Sequence, residues 1–229
     1  MGQMIAQAID SGAHKASIGA EMGRDGDKEA AFAACDVMID FTNPEAAVAY
    51  AKIAAQMGKP LVTGTTGLSL DQQATLEKSA QIAPILQSAN MSLGVNLLLS
   101  LVEKTAEKLG PEFDIEIFES HHRNKVDAPS GTALALGAAA AKGRGAALDS
   151  LAVFDRQGKR KSGNIGFSVF RGGDVVGEHT VTFAGAGERI ELAHRASDRM
   201  IFAHSAVKAA LWLKDRPPGL YSMRDVLAL

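Results

Sequence analysis

The first half of the chain alternates short apolar runs with stretches of helical pattern. Helices are predicted at Met4–Ala13, at Glu45–Met57, and from Leu70 to Ile82, where Ser69 and Gln72 form a capping box. The apolar runs predicted as buried strands are Asp36–Phe41, Pro60–Gly64 and Pro84–Ser88. Strands that are apolar throughout and alternate with helices pair in parallel and are covered by those helices. The pattern therefore predicts an α/β fold built on a parallel sheet.

The second half follows a different pattern, which is typical of an α+β arrangement. A helix is predicted at Val95–Leu109, a half-buried strand at Asp114–Ser120, and an Ala/Leu helix that Ser130 caps and that runs to Ala141. A last helix, with Ser197 as its cap, is predicted from Asp198 to Leu213. Three further strand-like runs separated by glycine turns predict an antiparallel meander: Ile165–Arg171, Val175–Ala184 and Arg189–His194.

Composition excludes several classes of protein. The 229 residues include 24 Lys+Arg and 26 Asp+Glu, and only 5% are aromatic, which argues against a nucleic-acid partner. Cys35 is the single cysteine, so an intramolecular disulfide is excluded and a reducing compartment is favoured. No uncharged apolar run approaches the roughly 18 residues of a membrane span. We therefore expect a cytoplasmic protein with no membrane partner, and a length of one large domain or two modest ones.

The segment 119–132, ESHHRNKVDAPSGT, holds the densest group of reactive side chains. His121, His122, Arg123 and Lys125 place four potential cations at the end of a predicted strand, which suits an anionic substrate and proton exchange. The helix start at 130–132 offers N–H groups to a carboxylate or phosphate. The alternative is a polar loop with an ordinary N-cap. A metal site is disfavoured because adjacent histidines on a strand point to opposite faces.

Polar turns follow each of the three predicted strands of the first half. They are Phe41–Pro44, Gly64–Gly67 and Ser88–Met91. Parallel strands end at one edge of a sheet, which is where open α/β sheets bind ligands. The amino terminus enters a predicted helix directly and carries no G-x-G-x-x-G, so no dinucleotide fingerprint is found there. The three turns together predict a ligand site at one edge.

The segment from Glu119 to Ala133 closely resembles the signature E-(S/A)-H-H-x-x-K-x-D-A-P-S-G-T-A of the 4-hydroxy-tetrahydrodipicolinate reductases. These enzymes, also called dihydrodipicolinate reductases, act in the bacterial diaminopimelate and lysine pathway. Further matches cover nearly the whole chain: IDFTNPE at 39–45, GTTG at 64–67, SANMSLGVN at 88–96, GDVVGEHTV at 173–181 and ALWL…GLYSMRDVL at 210–227.

The resemblance implies a Rossmann-like, parallel-sheet dinucleotide-binding domain over residues 1–92 and 203–229. An inserted α+β domain over 93–202, with a mixed or antiparallel sheet, would bind substrate and form a homotetramer. The family reduces a small cyclic dicarboxylate with NADH or NADPH. The resemblance therefore implies an NAD(P)H-dependent oxidoreductase with no metal.

Roles are carried over by position in the matching motifs. His121 resembles the family's catalytic acid/base and Lys125 its proton donor, while His122, Gly131 and Thr132 match contacts to the substrate carboxylate. Met1 matches the last residue of the glycine loop on the pyrophosphate, and Arg24 an arginine beside the adenosine ribose. The positions that match contacts around the nicotinamide and its ribose are Gly64, Thr65, Thr66, Ser88, Ala89, Asn90 and Met91.

Departures from the family pattern leave one alternative open. Members normally begin with a strand and a G-x-x-G-R-M-G loop, whereas this sequence starts at the final Met1-Gly2. We expect the strand and loop to be absent from the given sequence only; their loss from the protein would favour a non-catalytic dicarboxylate-binding protein of the same fold. Gly23 stands where many relatives carry the acid that reads the ribose 2′-hydroxyl, and with Arg24 beside it this favours NADPH or dual use.

Overall fold

A computed structural model of the chain describes residues 1–23 and 26–229. The chain forms two compact units, one from Met1–Leu93 with Met200–Leu229 and the other from Gly94–Arg199. The strands are β1 (Met38–Asp40), β2 (Leu61–Thr63), β3 (Pro84–Gln87), β4 (Asp114–His121), β5 (Ala152–Val153), β6 (Ile165–Arg171), β7 (Gly177–Gly185), β8 (Glu188–Ala196) and β9 (Gly219–Tyr221). The helices are α1 (Gly2–Asp10), α2 (Lys28–Ala33), α3 (Pro44–Met57), α4 (Leu70–Ala80), α5 (Leu93–Lys108), α6 (Gly131–Gly143), α7 (Met200–Leu213) and α8 (Met223–Val226), and a 3₁₀ turn spans Leu148–Ser150.

Local chemistry explains where the helices of the first unit begin and end. The Asn43 side chain accepts a hydrogen bond from the Ala46 N–H and Pro44 occupies the first turn of α3, whose end is marked by Gly58 at φ 63°. The capping box predicted from the sequence at the start of α4 is confirmed. The first predicted helix is displaced: α1 spans Gly2–Asp10, because the chain turns at Gly12 with φ 72°.

The sheet of the first unit is entirely parallel, in the order β1-β2-β3-β9, which confirms the predicted α/β class. Its central strands β2 and β3 are buried on both faces, and their successive residues enter different cores. Leu61 and Ile85 pack with α3 and α4, whereas Val62 and Leu86 pack with α1 and α7. Because the strands are parallel, the carboxyl ends of β1, β2 and β3 lie at one edge of the sheet, and the three polar turns lie side by side.

The sheet of the second unit is mixed, in the order β5-β6-β4-β7-β8. The predicted meander of three antiparallel strands is wrong in one respect: β6 does not pair with β7. Instead β4 lies between them, parallel to β6 and antiparallel to β7, and only β7 and β8 form a hairpin. The buried Ile115 and Ile117 of β4 pack against Phe167 of β6 and Val181 of β7, so burying β4 centrally outweighs the local turn signal.

One face of the second sheet is covered by α6 and the buried side of α5. Leu136 and Ala140 of α6 and Val102 of α5 are fully buried in this core. The opposite face carries Phe118 and Phe170, each about half exposed.

Along the part of the chain that the structure describes, no helix has the length and apolarity needed to cross a membrane. The helix predicted from Asp198 begins at Met200 instead.

Candidate active site

The reactive segment of the second unit begins at the end of β4. Alternation along this strand sends Ile115 and Ile117 into the core, and the same parity turns Glu119 and His121 to the covered face. Glu119 is completely buried and His121 is 8% exposed. The strand therefore delivers a carboxylate and an imidazole, two residues apart, to the buried side of the sheet.

The Glu119 carboxylate is held by four hydrogen bonds. Arg171, at the end of β6, donates one bond to each carboxylate oxygen at 2.7 Å, and the Ser130 N–H donates another at 2.9 Å. His121 Nδ1 lies 2.6 Å from the second oxygen. Bidentate guanidinium–carboxylate pairing is among the strongest and most directional polar contacts in proteins. The carboxylate is thereby fixed against the imidazole.

Protonation states in this cluster follow from burial and from these contacts. Burial alone would raise the pKa of Glu119, but hydrogen bonds from Arg171, His121 and Ser130 hold it below its ordinary value. Burial lowers the pKa of His121, and the Glu119 carboxylate opposes this shift only in part. Near neutral pH the pair is thus an ionised carboxylate and a neutral imidazole. Nδ1 carries the hydrogen directed at Glu119, and the lone pair is on Nε2.

The loop after β4 places the other predicted catalytic residue. The His122 N–H donates to the Val175 carbonyl at 2.7 Å, and the Lys125 N–H donates to the His122 carbonyl at 3.1 Å. Lys125 is partly buried, and its ammonium group lies 2.8 Å from Asp127 Oδ1. His122 is partly exposed. The loop is therefore tied back to its own sheet, with the Lys125 cation beside a carboxylate.

The start of α6 supplies a backbone N–H donor to the Asp127 carboxylate. The Ser130 hydroxyl accepts from the Ala133 N–H and caps the helix, which confirms that prediction. Gly131 is the first residue of α6 and Thr132 follows it, partly buried. A hydrogen bond from Lys125 lowers the pKa of Asp127, and the backbone N–H of Gly131 acts in the same direction. One carboxylate thus accepts from an ammonium group and from a helix N-terminus, as anions do at such sites.

A glycine of β7 makes room for the His121 imidazole. A methyl group at Gly177 would come within 3.0 Å of His121 Nε2, closer than a carbon and a ring nitrogen normally pack. Glycine at this position therefore leaves the Nε2 edge of His121 uncrowded.

A second buried histidine, His179, lies behind the first. Its ring packs edge-on against His121 with centroids 5.1 Å apart, and its Nε2 shares a hydrogen bond with the Ser130 hydroxyl at 3.1 Å. No described residue hydrogen-bonds its Nδ1. Burial, with the nearby His121 adding to it, lowers the pKa of His179 to about 4. His179 is therefore a neutral structural group at physiological pH.

We expect His179 to make the second unit labile in acid. In the unfolded chain this histidine has a pKa of 6.5 and is protonated below that pH, whereas in the folded protein its pKa is about 4. The free energy of unfolding therefore falls as the pH drops from 6.5 to 4. The loss between pH 7 and pH 4 amounts to about 3 kcal/mol. In urea unfolding at several pH values, His179→Gln should remove that part of the slope, whereas His122→Gln should retain it. An unchanged slope in His179→Gln would contradict the assignment.

The carboxyl edge of the sheet in the first unit brings the predicted ligand turns together. The buried Asp40 carboxylate at the end of β1 accepts from the hydroxyls of Thr42 at 2.5 Å, Thr63 at 2.8 Å and Thr65 at 2.9 Å. Since Thr65 is buried with its hydroxyl on Asp40, that side chain fixes the shape of the Gly64–Gly67 turn, while Thr66 is exposed. Asp40 therefore links the turns after β1 and β2.

The turns after β2 and β3 line one cleft of about 390 Å³. Thr65, Thr66, Ser88 and Ala89 contribute to its wall, as does Gln87 of β3. Hydroxyl, amide and backbone groups in an open cleft at this edge fit the nicotinamide carboxamide and ribose of a dinucleotide. The residues present therefore suit a nicotinamide nucleotide.

The other residues predicted to bind nucleotide fall in different environments. Met1 and Gly2, at the start of α1, line a separate cleft of about 730 Å³ in the same unit. The Asn90 carbonyl accepts from the Ser88 hydroxyl at 2.7 Å. Met91 is a buried core residue, so the backbone is the part of it that a ligand could reach. Arg24 lies outside the described residues.

Comparison with known families settles the identity of the fold and of its motifs. A family model described as dihydrodipicolinate reductase, N-terminus, matches residues 1–91, and one described as dihydrodipicolinate reductase, C-terminus, matches residues 94–227. The chain belongs to the dihydrodipicolinate reductase family. Members of this family are oxidoreductases that use a nicotinamide nucleotide, so the chain is an enzyme of this kind.

Individual relatives agree with the family assignment. The chain is 61% identical over 202 residues to the 4-hydroxy-tetrahydrodipicolinate reductase of Methylocella silvestris, covering 87% of this chain and 74% of the relative. It is 58% identical over 206 residues to that of Beijerinckia indica, covering 89% and 76%. A solved dipicolinate-bound dihydrodipicolinate reductase from Paenisporosarcina sp. TG-14 has a similar fold, with TM-score 0.68 at 24% identity, covering 82% of this chain and 71% of that one.

Sequence reasoning missed the partners that hold the reductase's histidine. Glu119 begins the recognised signature, but no role was assigned to it, and Arg171 was treated only as the end of a strand. His179 and Gly177 lie in the quoted GDVVGEHTV match, again without a role. The sequence signal for Glu119 is that it falls at the same strand parity as His121. The contact of Glu119 with Arg171 depends on the pairing of β4 with β6.

Proposed function

We propose that the chain reduces 4-hydroxy-tetrahydrodipicolinate, or dihydrodipicolinate, to tetrahydrodipicolinate in diaminopimelate and lysine biosynthesis. The main support for the substrate assignment is that the Asp127 carboxylate is bound both by the Lys125 ammonium group and by the Gly131 N–H. This arrangement is a ready-made carboxylate site, and the buried His121 lies on the strand that leads into it. In the substrate complex a carboxylate of the dicarboxylate ring takes the place of Asp127.

In the second unit, some residues bind the substrate and others transfer protons. Gly131 and Thr132, at the start of α6, bind the substrate carboxylate together with His122. Lys125, released from Asp127, donates the proton that the reduced ring requires, and His121 acts as acid/base through Nε2. With 4-hydroxy-tetrahydrodipicolinate as the substrate, the 4-hydroxyl leaves as water, which gives dihydrodipicolinate. Reduction of its conjugated double bond then adds one hydride and one proton, and these side chains handle only protons.

The first unit serves as the dinucleotide-binding domain. A bound nicotinamide nucleotide supplies the hydride. Gly64, Thr65, Thr66 and the segment 88–91 hold its nicotinamide and ribose, and Met1 lies at its pyrophosphate. Gly23 with Arg24 favours NADPH, or use of both nucleotides, over strict use of NADH. The single cysteine and the biosynthetic role support a cytoplasmic location.

The second unit also serves in assembly, and we expect a homotetramer. Its support is the face of the mixed sheet opposite α6, where Phe118 is 45% exposed. Phe118→Glu should lower the molar mass measured by light scattering, whereas Leu70→Glu, at a 90% exposed leucine of the other unit, should leave it at four chains. A wild-type mass of a single chain would contradict the homotetramer.

A turnover assay tests the proposed activity. Purified full-length protein is mixed with dihydrodipicolinate generated in situ and with NADPH or NADH, and the loss of nicotinamide absorbance is followed. We expect turnover with at least one nucleotide, and dipicolinate should inhibit it. Binding of dipicolinate measured by calorimetry, without any turnover, would instead identify a non-catalytic dicarboxylate-binding protein of the same fold.

A further inference from the structure

Every acceptor position of the buried Glu119 carboxylate is occupied. Each carboxylate oxygen accepts two hydrogen bonds, one from Arg171 and one from either Ser130 or His121. Burying a carboxylate completely is costly unless it is paired and all its acceptor positions are used. Glu119 meets both conditions, so it stays ionised in the core and its orientation is fixed.

Arg171 also bonds to the loop after β4, which holds the residues proposed to bind the substrate. Besides the carboxylate, its guanidinium donates to the Asp127 carbonyl at 2.6 Å and to the Phe170 carbonyl at 2.7 Å. The Ser130 N–H that reaches Glu119 comes from the residue that caps α6. One ion pair therefore connects the ends of β4 and β6 to the loop and helix start that bind the carboxylate.

The effect on His121 follows from the donor and acceptor roles. An ionised carboxylate only accepts hydrogen bonds, so the Nδ1 it faces at 2.6 Å must carry hydrogen. The other groups facing the ring are the cations Lys125 and Arg171, which disfavour a second proton, and His179, with His194 near it. Glu119 is the group that favours the protonated ring against burial and these cations.

We propose that Glu119, clamped by Arg171, is a positioning residue that fixes the tautomer and orientation of His121 so that Nε2 exchanges the proton. This inference rests on the proposed function, in which His121 is the acid/base. The carboxylate touches neither substrate nor nucleotide and acts only through the imidazole. The arrangement has the logic of the carboxylate–histidine pairs of hydrolases, where loss of the charge with retained shape costs up to about 10⁴ in kcat.

The principal test is Glu119→Gln, which keeps the shape and removes the charge. We expect kcat to fall about 10²-fold or more while the KM values for both substrates change less than about threefold. The limb of the pH profile that reports His121 should move to lower pH, because Glu119 raises the pKa of that ring. The matched control is Glu116→Gln on the same strand, whose partners are Arg156 and Arg160 and whose kcat should stay at the wild-type value.

Nitrogen-15 NMR of the ligand-free protein gives a readout independent of activity. In the wild type the His121 ring should show the Nδ1–H tautomer, and in Glu119→Gln it should shift toward Nε2–H. A folded Glu119→Gln that keeps the wild-type kcat, pH profile and tautomer would overturn the positioning role. Wild-type protein that gives no turnover but keeps the Nδ1–H tautomer would instead contradict the proposed function.

Arg171→Lys decides the question if Glu119→Gln does not fold. Lysine keeps the positive charge but loses the planar fork that fixes both carboxylate oxygens. We expect kcat about 10-fold lower with dipicolinate affinity within about threefold of wild type. A kcat equal to that of the wild type, with an unchanged His121 tautomer, would overturn the inference.

Discussion

Replacing Lys125 by alanine should lower kcat by about 10³-fold, because the reaction then loses the group that supplies its proton. The KM for the nucleotide should stay within about twofold, since the residues proposed to bind it belong to the other unit. The KM for the dicarboxylate should rise, because the ammonium group also binds carboxylate, as its 2.8 Å contact with Asp127 illustrates. Steady-state kinetics with each substrate varied in turn measures all three values.

Two further lysine variants separate proton donation from charge. Lys125→Arg keeps a cation that cannot release its proton near neutral pH, so we expect the dicarboxylate KM to recover while kcat stays low. Lys142→Ala, in α6, removes an exposed lysine paired with Glu103 at 2.7 Å and should not change kcat. A Lys125→Arg enzyme with wild-type kcat would contradict the role of Lys125 as proton donor.

The second large effect is expected at His121. His121→Gln removes the acid/base and should lower kcat by about 10²- to 10⁴-fold. The residual rate should lose the pH limb that belongs to this ring, whose pKa is depressed by burial and partly restored by Glu119. Because burial lowers the pKa of this ring, the limb is expected below the ordinary histidine value of 6.5.

The control for His121 is a histidine outside the candidate site. His14→Gln, whose ring contacts His204 at 3.0 Å in the first unit, should keep the wild-type kcat and pH profile. If His121→Gln keeps both as well, the acid/base role of His121 is wrong and the buried Glu119–Arg171 pair has a purely structural function.

The parts of the fold that depend on local pattern could be predicted from the sequence. Strand β2, helix α3 and the capping box of α4 lie within about two residues of the predicted bounds, because apolar runs and caps act over a few residues. The position of β4 between β6 and β7 could not be read in this way. The glycines at 172 and 173 resemble a hairpin turn, but strand order depends on contacts between residues about 50 to 70 positions apart.

The candidate site shows the same difference between features set by local sequence and features set by distant contacts. The sequence alone singles out His121 and Lys125 as candidates because they lie within one continuous motif. The hydroxyl of Thr65 was predicted to serve the ligand, yet in the structure it bonds to Asp40, 25 residues earlier. The contact of Arg171 with Glu119 spans 52 residues and depends on the register of two strands. Sequence motifs thus indicate which residues react, whereas the groups that hold them in place emerge only from the pairing of the strands.

The most direct measurement follows the hydride itself. The full-length protein is given dihydrodipicolinate generated in situ and a nicotinamide nucleotide that carries deuterium at the transferable position of C4, and the product is analysed by mass spectrometry. We expect tetrahydrodipicolinate that contains one deuterium per nucleotide oxidised. Oxidation of the nucleotide without deuterium in the product, or no tetrahydrodipicolinate at all, would contradict the proposed function.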